Sequence, residues 1–139
     1  MEIEQTLILV KPDGVQRGLI GEIISRYERK GLKLIGLKLL QLPLVKAEEL
    51  YAIHKEQPFY DRLIEFMTST PIVAMAVEGK NAIKLARLIN GVTDPLESAP
   101  GSIRGDYSTD ITYNLVHASD CLENAKSELA ILFSPEELC

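Results

Sequence analysis

One histidine stands at the end of a short apolar run in the segment Asn114-Leu115-Val116-His117-Ala118-Ser119-Asp120. Strand alternation places Asn114 and Val116 on one face and Leu115 with His117 on the other, and Ser119-Asp120 reads as the start of a helix. A histidine where strand passes into helix suits phosphate chemistry, because free backbone N–H groups and the helix dipole favour anions there. With an ordinary pKa of ~6.5, its neutral ring also keeps a nucleophilic nitrogen near neutral pH. A half-buried histidine satisfied by a backbone carbonyl would occupy the same place, and position alone does not choose between the two. Three basic residues pose the same question. Lys11 directly follows an apolar run, Arg87 lies on a helix that ends near a long loop, and Arg104 stands between Ile103 and Gly105 inside that loop. Each alone is better explained as a solvated cation; together they could clamp a polyphosphate, since guanidinium forks and an ammonium point charge both match phosphate oxygens. Phe59, just after Pro58, fits a core position by spacing and a nucleobase platform by chemistry. His54, beside Lys55 and Glu56 on an expected helix surface, is assigned no chemistry.

Other chemistries find no support. There is no GxxxxGK[ST], and Gly14, Gly18 and Gly21 do not fit GxGxxG. HExxH, GxSxG and any His/Cys spacing for a metal are also missing, so no protein metal site is expected. A net charge of −5 gives no electrostatic footprint for nucleic acid. The 139 residues, 46% hydrophobic and 25% charged, suit one globular domain spanning 1–139. Cys121 and Cys139 read as free thiols of a reducing compartment. Met1 to Thr6 lacks the features of a signal peptide, and no apolar stretch approaches the ~20 residues of a bilayer span, so a cytoplasmic protein without membrane contact is expected.

The elements that must carry these residues follow from periodicity. Thr6 to Val10 reads as a buried strand ending in a turn at Lys11-Pro12-Asp13-Gly14. Leu19 to Lys30 has helical spacing and stops at Gly31. Leu32 to Leu40 reads as a strand that changes phase near Gly36: Leu32 and Leu34 share one face, and Ile35, Leu37 and Leu39 the other, which a bulge or close contact at Gly36 explains. Val45 to Lys55 and a helix carrying Phe59, Leu63, Phe66 and Met67 form a hairpin around Pro58. Ile72 to Val77 is an interior strand, Glu78-Gly79 a turn, and Asn81 to Asn90 a helix closed by Gly91. Residues 91–113 form a long loop, which in a compact domain is usually functional. Tyr113 to Ala118 reads as the last strand, and Asp120 with Glu123 as a capping box for a helix bearing Leu122, Ala125, Leu129 and Leu132. The order predicts an α+β sandwich of the ferredoxin-like kind, a four-stranded antiparallel sheet covered by helices.

Taken together, the segments Val10–Gly18, Pro100-Gly101-Ser102-Ile103-Arg104-Gly105-Asp106 and Asn114–Asp120 closely resemble the nucleoside diphosphate kinase family, and the resemblance runs to Ser134-Pro135-Glu136-Glu137-Leu138. It implies an enzyme that passes the terminal phosphate of ATP or another nucleoside triphosphate to a nucleoside diphosphate through a phosphorylated His117, with ping-pong kinetics. In that reading Lys11 contacts phosphate and ribose hydroxyls, Arg87, Thr93 and Arg104 hold phosphate oxygens, and Asn114 binds the sugar. Tyr51 borders the histidine, Glu128 with Ser119 orients its ring, and the base lies between Phe59 and Ile111 over Leu63. Few polar groups would touch the base edge, which implies tolerance of many bases and of ribose or deoxyribose. Mg²⁺ is expected to be bound mainly by the nucleotide phosphates. Ile111, Ala118 and Tyr113 stand where valine, glycine and a basic residue are more usual, and none of these removes a catalytic group. The chain is shorter than family forms with long carboxyl tails; a homo-oligomer, hexamer or tetramer, is implied.

Two rivals come from other classes. A non-catalytic nucleotide-sensing or protein-interaction module could use the same fold, although a retired site would not need all of Lys11, Tyr51, Arg87, Thr93, Arg104, Asn114, His117 and Glu128. A ferredoxin-like RNA-binding domain would display stacking aromatics on its sheet, and aromatics are 6% here with net negative charge.

Overall fold

The computed structural model describes residues 2–139; Met1, part of the segment read for a leader, lies outside them. Strands β1 (Ile3–Val10), β2 (Lys33–Leu40), β3 (Ile72–Lys80) and β4 (Val116–Ala118) form one sheet in the order β2-β3-β1-β4. Every neighbouring pair is antiparallel, and the order is that of a ferredoxin-like sandwich. β1 and β3 sit in the middle and are buried on both faces, which is why both read as continuous apolar runs rather than alternating ones. Leu7 and Leu9 point into one core with α3 (Leu44–Leu50), α4 (Tyr60–Ser69) and α7 (Leu122–Leu132). Ile8 and Val10 point into the other, against α2 (Ile20–Lys30) and α5 (Ala82–Asn90).

The phase change in β2 is a bulge: the register against β3 shifts between Leu34 and Gly36. A Cβ on Gly36 would lie 3.0 Å from the Phe133 ring, so the carboxyl-terminal segment packs there against bare backbone. The extra residue leaves Ile35 in the first core, where Leu40 at the end of the strand also packs. Leu37 and Leu39 return to the side of Leu34, opposite Met75 and Val73, and no helix covers them there.

Several local expectations are corrected. The segment after Lys11 is a short helix, α1 (Pro12–Gln16), with proline at its first position, rather than a turn. Glu78 and Gly79 continue β3 and pair with Gln5 and Glu4; the chain turns instead at Asn81, whose φ is 57°. The second helix of the hairpin begins after Phe59, and the first breaks at Tyr51 into a 3-10 turn, Ala52–His54. The loop at 91–113 contains α6 (Ile103–Tyr107), capped by the Ser102 hydroxyl, which accepts from the Gly105 amide at 3.0 Å. β4 starts only at Val116, because Leu115 has a φ of 75°. α7 is capped by the Cys121 thiol rather than by Asp120 and Glu123, and Leu122 faces outward. No described helix is long and apolar enough to cross a membrane.

Candidate active site

His117 occupies the middle of β4, paired with Leu9, so its ring projects toward α3 and α7 rather than into the second core that Val116 and Ala118 enter. Alternation holds from Val116 onward and fails before it. The positive φ at Leu115 turns that side chain into the same core as Val116, and the expected sharing of a face by Leu115 and His117 is lost.

Glu128, one turn before the end of α7, reaches back to this ring. Its Oε1 lies 2.9 Å from His117 Nε2 and accepts the Ser119 hydroxyl at 2.8 Å. An ionised carboxylate can only accept, so this contact puts the ring hydrogen on Nε2 and the lone pair on Nδ1. Ser119 is fully buried behind the carboxylate. The Tyr51 ring meets His117 edge-on at 6.0 Å. Its hydroxyl is buried without a hydrogen-bond partner, and burial, followed by the Glu128 charge, holds its pKa above the usual phenol range.

A cleft of about 530 Å³ opens above these groups. Lys11, Tyr51, Phe59, Leu63, Arg87, Thr93, Arg104, Ile111, Asn114, His117 and Glu128 all line it, whereas Ser119 does not. Its floor is cationic. Lys11 is buried and donates to Asn114 Oδ1 at 2.7 Å; burial first, and the charge of Arg104 second, lower its pKa to about 8. Arg104 donates to three carbonyls, Gly91 O at 2.7 Å, Asn114 O at 3.3 Å and Val116 O at 2.5 Å, and burial lowers its pKa to about 10. Of its five N–H groups, two remain for a ligand. Arg87 is exposed at the rim and donates to Ala118 O at 3.2 Å. The Asn114 amide group donates to Ile111 O and Thr93 O, tying both ends of the long loop to the site. Phe59 and Ile111, 48% and 58% exposed, flank the mouth as an apolar pair with Leu63 between the helix and the cleft.

Four further residues belong to this region. His54 lines the cleft, stacks on Tyr51 at 6.4 Å and meets Phe59 at 5.4 Å. Its spacing of three from Tyr51 is the signal that places both rings on one side of a helical turn. Asp120 and Asn124 also line the cleft, and the Asn124 amide donates to the Asp120 carboxylate at 2.6 Å. Arg62, one turn beyond Phe59 in α4, also lines the cleft, and nothing in the sequence distinguishes it from other surface cations. Among the described residues no group of three or more His, Cys, Asp or Glu side chains could hold a metal ion.

Known proteins share both the sequence and the fold of this chain. The family model "Nucleoside diphosphate kinase" matches residues 4–138. A nucleoside diphosphate kinase from Staphylothermus marinus is 56% identical, over 99% of this chain and 98% of that one. A cytosolic nucleoside diphosphate kinase from Dictyostelium discoideum is also 56% identical, over 97% of this chain and 87% of that one. A halophilic nucleoside diphosphate kinase from Halobacterium salinarum, solved in complex with CDP, superposes with a TM-score of 0.96 at 46% identity, covering 99% of this chain and 92% of that one. With a family match over residues 4–138, relatives 56% identical over nearly the whole chain and a shared fold at this level, the chain belongs to the nucleoside diphosphate kinase family.

Proposed function

We propose that the protein moves the terminal phosphate of a nucleoside triphosphate to a nucleoside diphosphate through a phosphohistidine at His117. The observation that carries this reading is the division of labour on one ring: Nε2 is engaged by Glu128, which leaves Nδ1 as the nucleophilic nitrogen of a residue that shares a cleft with Lys11, Arg87 and Arg104. Nδ1 attacks the terminal phosphorus, the bond to the bridging oxygen breaks, and the diphosphate leaves with that electron pair. A second diphosphate then attacks the phosphorus, and the N–P bond breaks to restore the lone pair. Positive charge that develops on the ring is balanced by Glu128. Charge on the phosphoryl oxygens meets cations and the unpartnered Tyr51 hydroxyl, all placed beforehand, which is the main lever in phosphoryl transfer.

The sugar and phosphates fall to Lys11, Asn114, Thr93, Arg87 and Arg104, and the base to Phe59, Ile111 and Leu63. An apolar clamp supports broad base tolerance, and the CDP bound to the Halobacterium relative supports nucleotides as ligands. A mostly cationic donor set fits Mg²⁺ as an ion carried in on the nucleotide phosphates, where it would neutralise part of their charge. We also take residues 1–139 as one domain, since both cores share a single sheet. The cytosolic relative supports a cytoplasmic location. Uncovered Leu37 and Leu39, with exposed Leu88 and Leu96, support a homo-oligomer, hexamer or tetramer.

Brief exposure to ATP should add one phosphoryl group, stable in alkali and labile in acid, seen by mass spectrometry of the intact chain. His117→Ala should abolish it. A His117→Ala protein that still transfers phosphate at the parent rate defeats the mechanism. Nucleotide binding with neither phosphoenzyme nor turnover in the parent would favour a sensing module instead.

A further inference from the structure

We propose that Asp13 is a positioning residue for this reaction, holding the strained turn at Leu115 from which Asn114 and His117 project into the cleft. The inference rests on the phosphohistidine reading above. Val116 N–H donates to Asn114 O at 2.9 Å, a bond that skips one residue, and the residue skipped has a φ of 75°. This is the γ-turn of positive φ, which is rare and strained even before a branched side chain such as leucine is placed in it. Strain of this kind persists only where the surroundings over-determine it, and it gathers at functional sites.

The turn does not use the amide of Leu115 itself. Leu115 is fully buried, so water cannot satisfy that N–H, and no strand pairs with it. Asp13 Oδ2 accepts it at 3.1 Å. The Leu115 carbonyl accepts from Lys11 N at 2.8 Å, so one short stretch, from Lys11 to Asp13, fixes the peptide groups on both sides of the strained Cα. Pro12 opens α1 and presents Asp13 in its first turn, while Gly14 lets the helix approach: a Cβ there would lie 2.7 Å from Val10 and 3.3 Å from the Leu115 carbonyl oxygen.

The placement of Asp13 is costly in itself, which argues against chance. Its Oδ1 is buried with no partner, and burial raises the carboxyl pKa despite the nearby Lys11 charge. Arg104 grips the turn from the other side through Asn114 O and Val116 O, but Arg104 also lines the cleft, whereas Asp13 does not. Asp13 can reach the reaction by two routes, as the acceptor for Leu115 and through its charge on Lys11, and Asp13→Asn, which keeps the acceptor and removes the charge, separates them. Without that acceptor Leu115 can relax toward negative φ, which swings the peptides next to Asn114 and shifts the start of β4 beneath His117.

The test uses the full chain and the single-turnover rate of phosphoenzyme formation from ATP, with ADP affinity and circular dichroism measured in parallel. Asp13→Asn keeps an oxygen for the Leu115 N–H and is expected within about threefold of the parent; Asp13→Ala is expected to slow phosphorylation at least tenfold, because small misplacements of reacting groups cost about that or more. In a Leu115→Gly background positive φ carries no steric cost, so adding Asp13→Ala should cost less than about twofold. An Asp13→Ala rate near that of the parent, an Asp13→Asn loss as large as the alanine loss, or an equal alanine penalty in both backgrounds overturns the proposal. Should Asp13→Ala not fold in either background, since Leu115→Gly also removes a fully buried side chain, Asp13→Asn decides: a rate within about threefold of the parent supports the acceptor role, and a loss of about tenfold or more overturns it. A parent that forms no phosphoenzyme defeats the function instead, so the two failures are distinct.

Discussion

Above pH 8 nucleotide capture should weaken while the empty protein grows more stable, and both effects trace to the Lys11 ammonium. Burial and the charge of Arg104 bring this group from 10.5 to about 8, which corresponds to roughly 3 kcal/mol of unfavourable charge in the empty cleft. In the unfolded chain the lysine binds its proton more tightly than in the folded one. That cost is therefore fully present below about pH 8 and relieved as the pH rises from about 8 to 10.5, so stability increases across this window. Polyphosphate binding has the opposite preference, because the anion favours the ammonium. Since kcat/KM reports the free enzyme, it should fall about tenfold per pH unit above 8, while kcat at saturating nucleotide stays flatter. Steady-state rates and thermal melts in the same buffers, from about pH 7 to 9.5, separate the two trends. Lys11→Gln should lower kcat/KM at pH 7 and remove the break near 8. A flat parent profile, a break that survives in Lys11→Gln, or melting temperatures that fall together with kcat/KM would each refute the assignment of the break to Lys11.

The sheet was legible because its central strands carry the strongest sequence signals. β1 and β3 are apolar on both faces, and the bulge at Gly36 betrays itself as a change of phase. Boundaries failed where a turn residue had a second use. Pro12 signals a turn and also opens a helix, since its missing N–H costs nothing at the first position. Gly79 suggests a turn, yet it sits in the ladder opposite Glu4, with the Leu32 side chain 3.0 Å from where its Cβ would be.

For the site, residue identities were readable and their geometry was not. Nothing about a leucine announces positive φ, so the alternation read through Asn114-Leu115-Val116-His117 fails at Leu115, two residues before His117. The conformation at Leu115 is set by Asp13, 102 positions away in the chain, and by Lys11 and Arg104, contacts that no local pattern contains. Arg104 illustrates the same limit. Its type suggested phosphate, while three of its donors are spent on backbone carbonyls that hold the long loop to β4.

Two further expectations concern the rings. Phe59 is 48% exposed, so Phe59→Ala should change stability by no more than about 0.5 kcal/mol yet raise KM for purine and pyrimidine nucleotides alike; a large loss of melting temperature would make it a core residue instead. Tyr51→Phe should separate stability from rate. The Tyr51 hydroxyl is buried beside His117 with no partner, so in the empty protein it carries a desolvation cost that nothing offsets. Removing it leaves the ring packing intact and should raise stability by up to about 1 kcal/mol. If that hydroxyl donates to the phosphoryl group in the transition state, the same change should slow single-turnover phosphorylation by about tenfold or more while leaving ADP affinity nearly unchanged. Thermal melts and quenched-flow labelling decide the matter together. A phenylalanine variant that melts lower and phosphorylates at the parent rate would mean that the hydroxyl serves the fold, and the catalytic role assigned to it would be wrong.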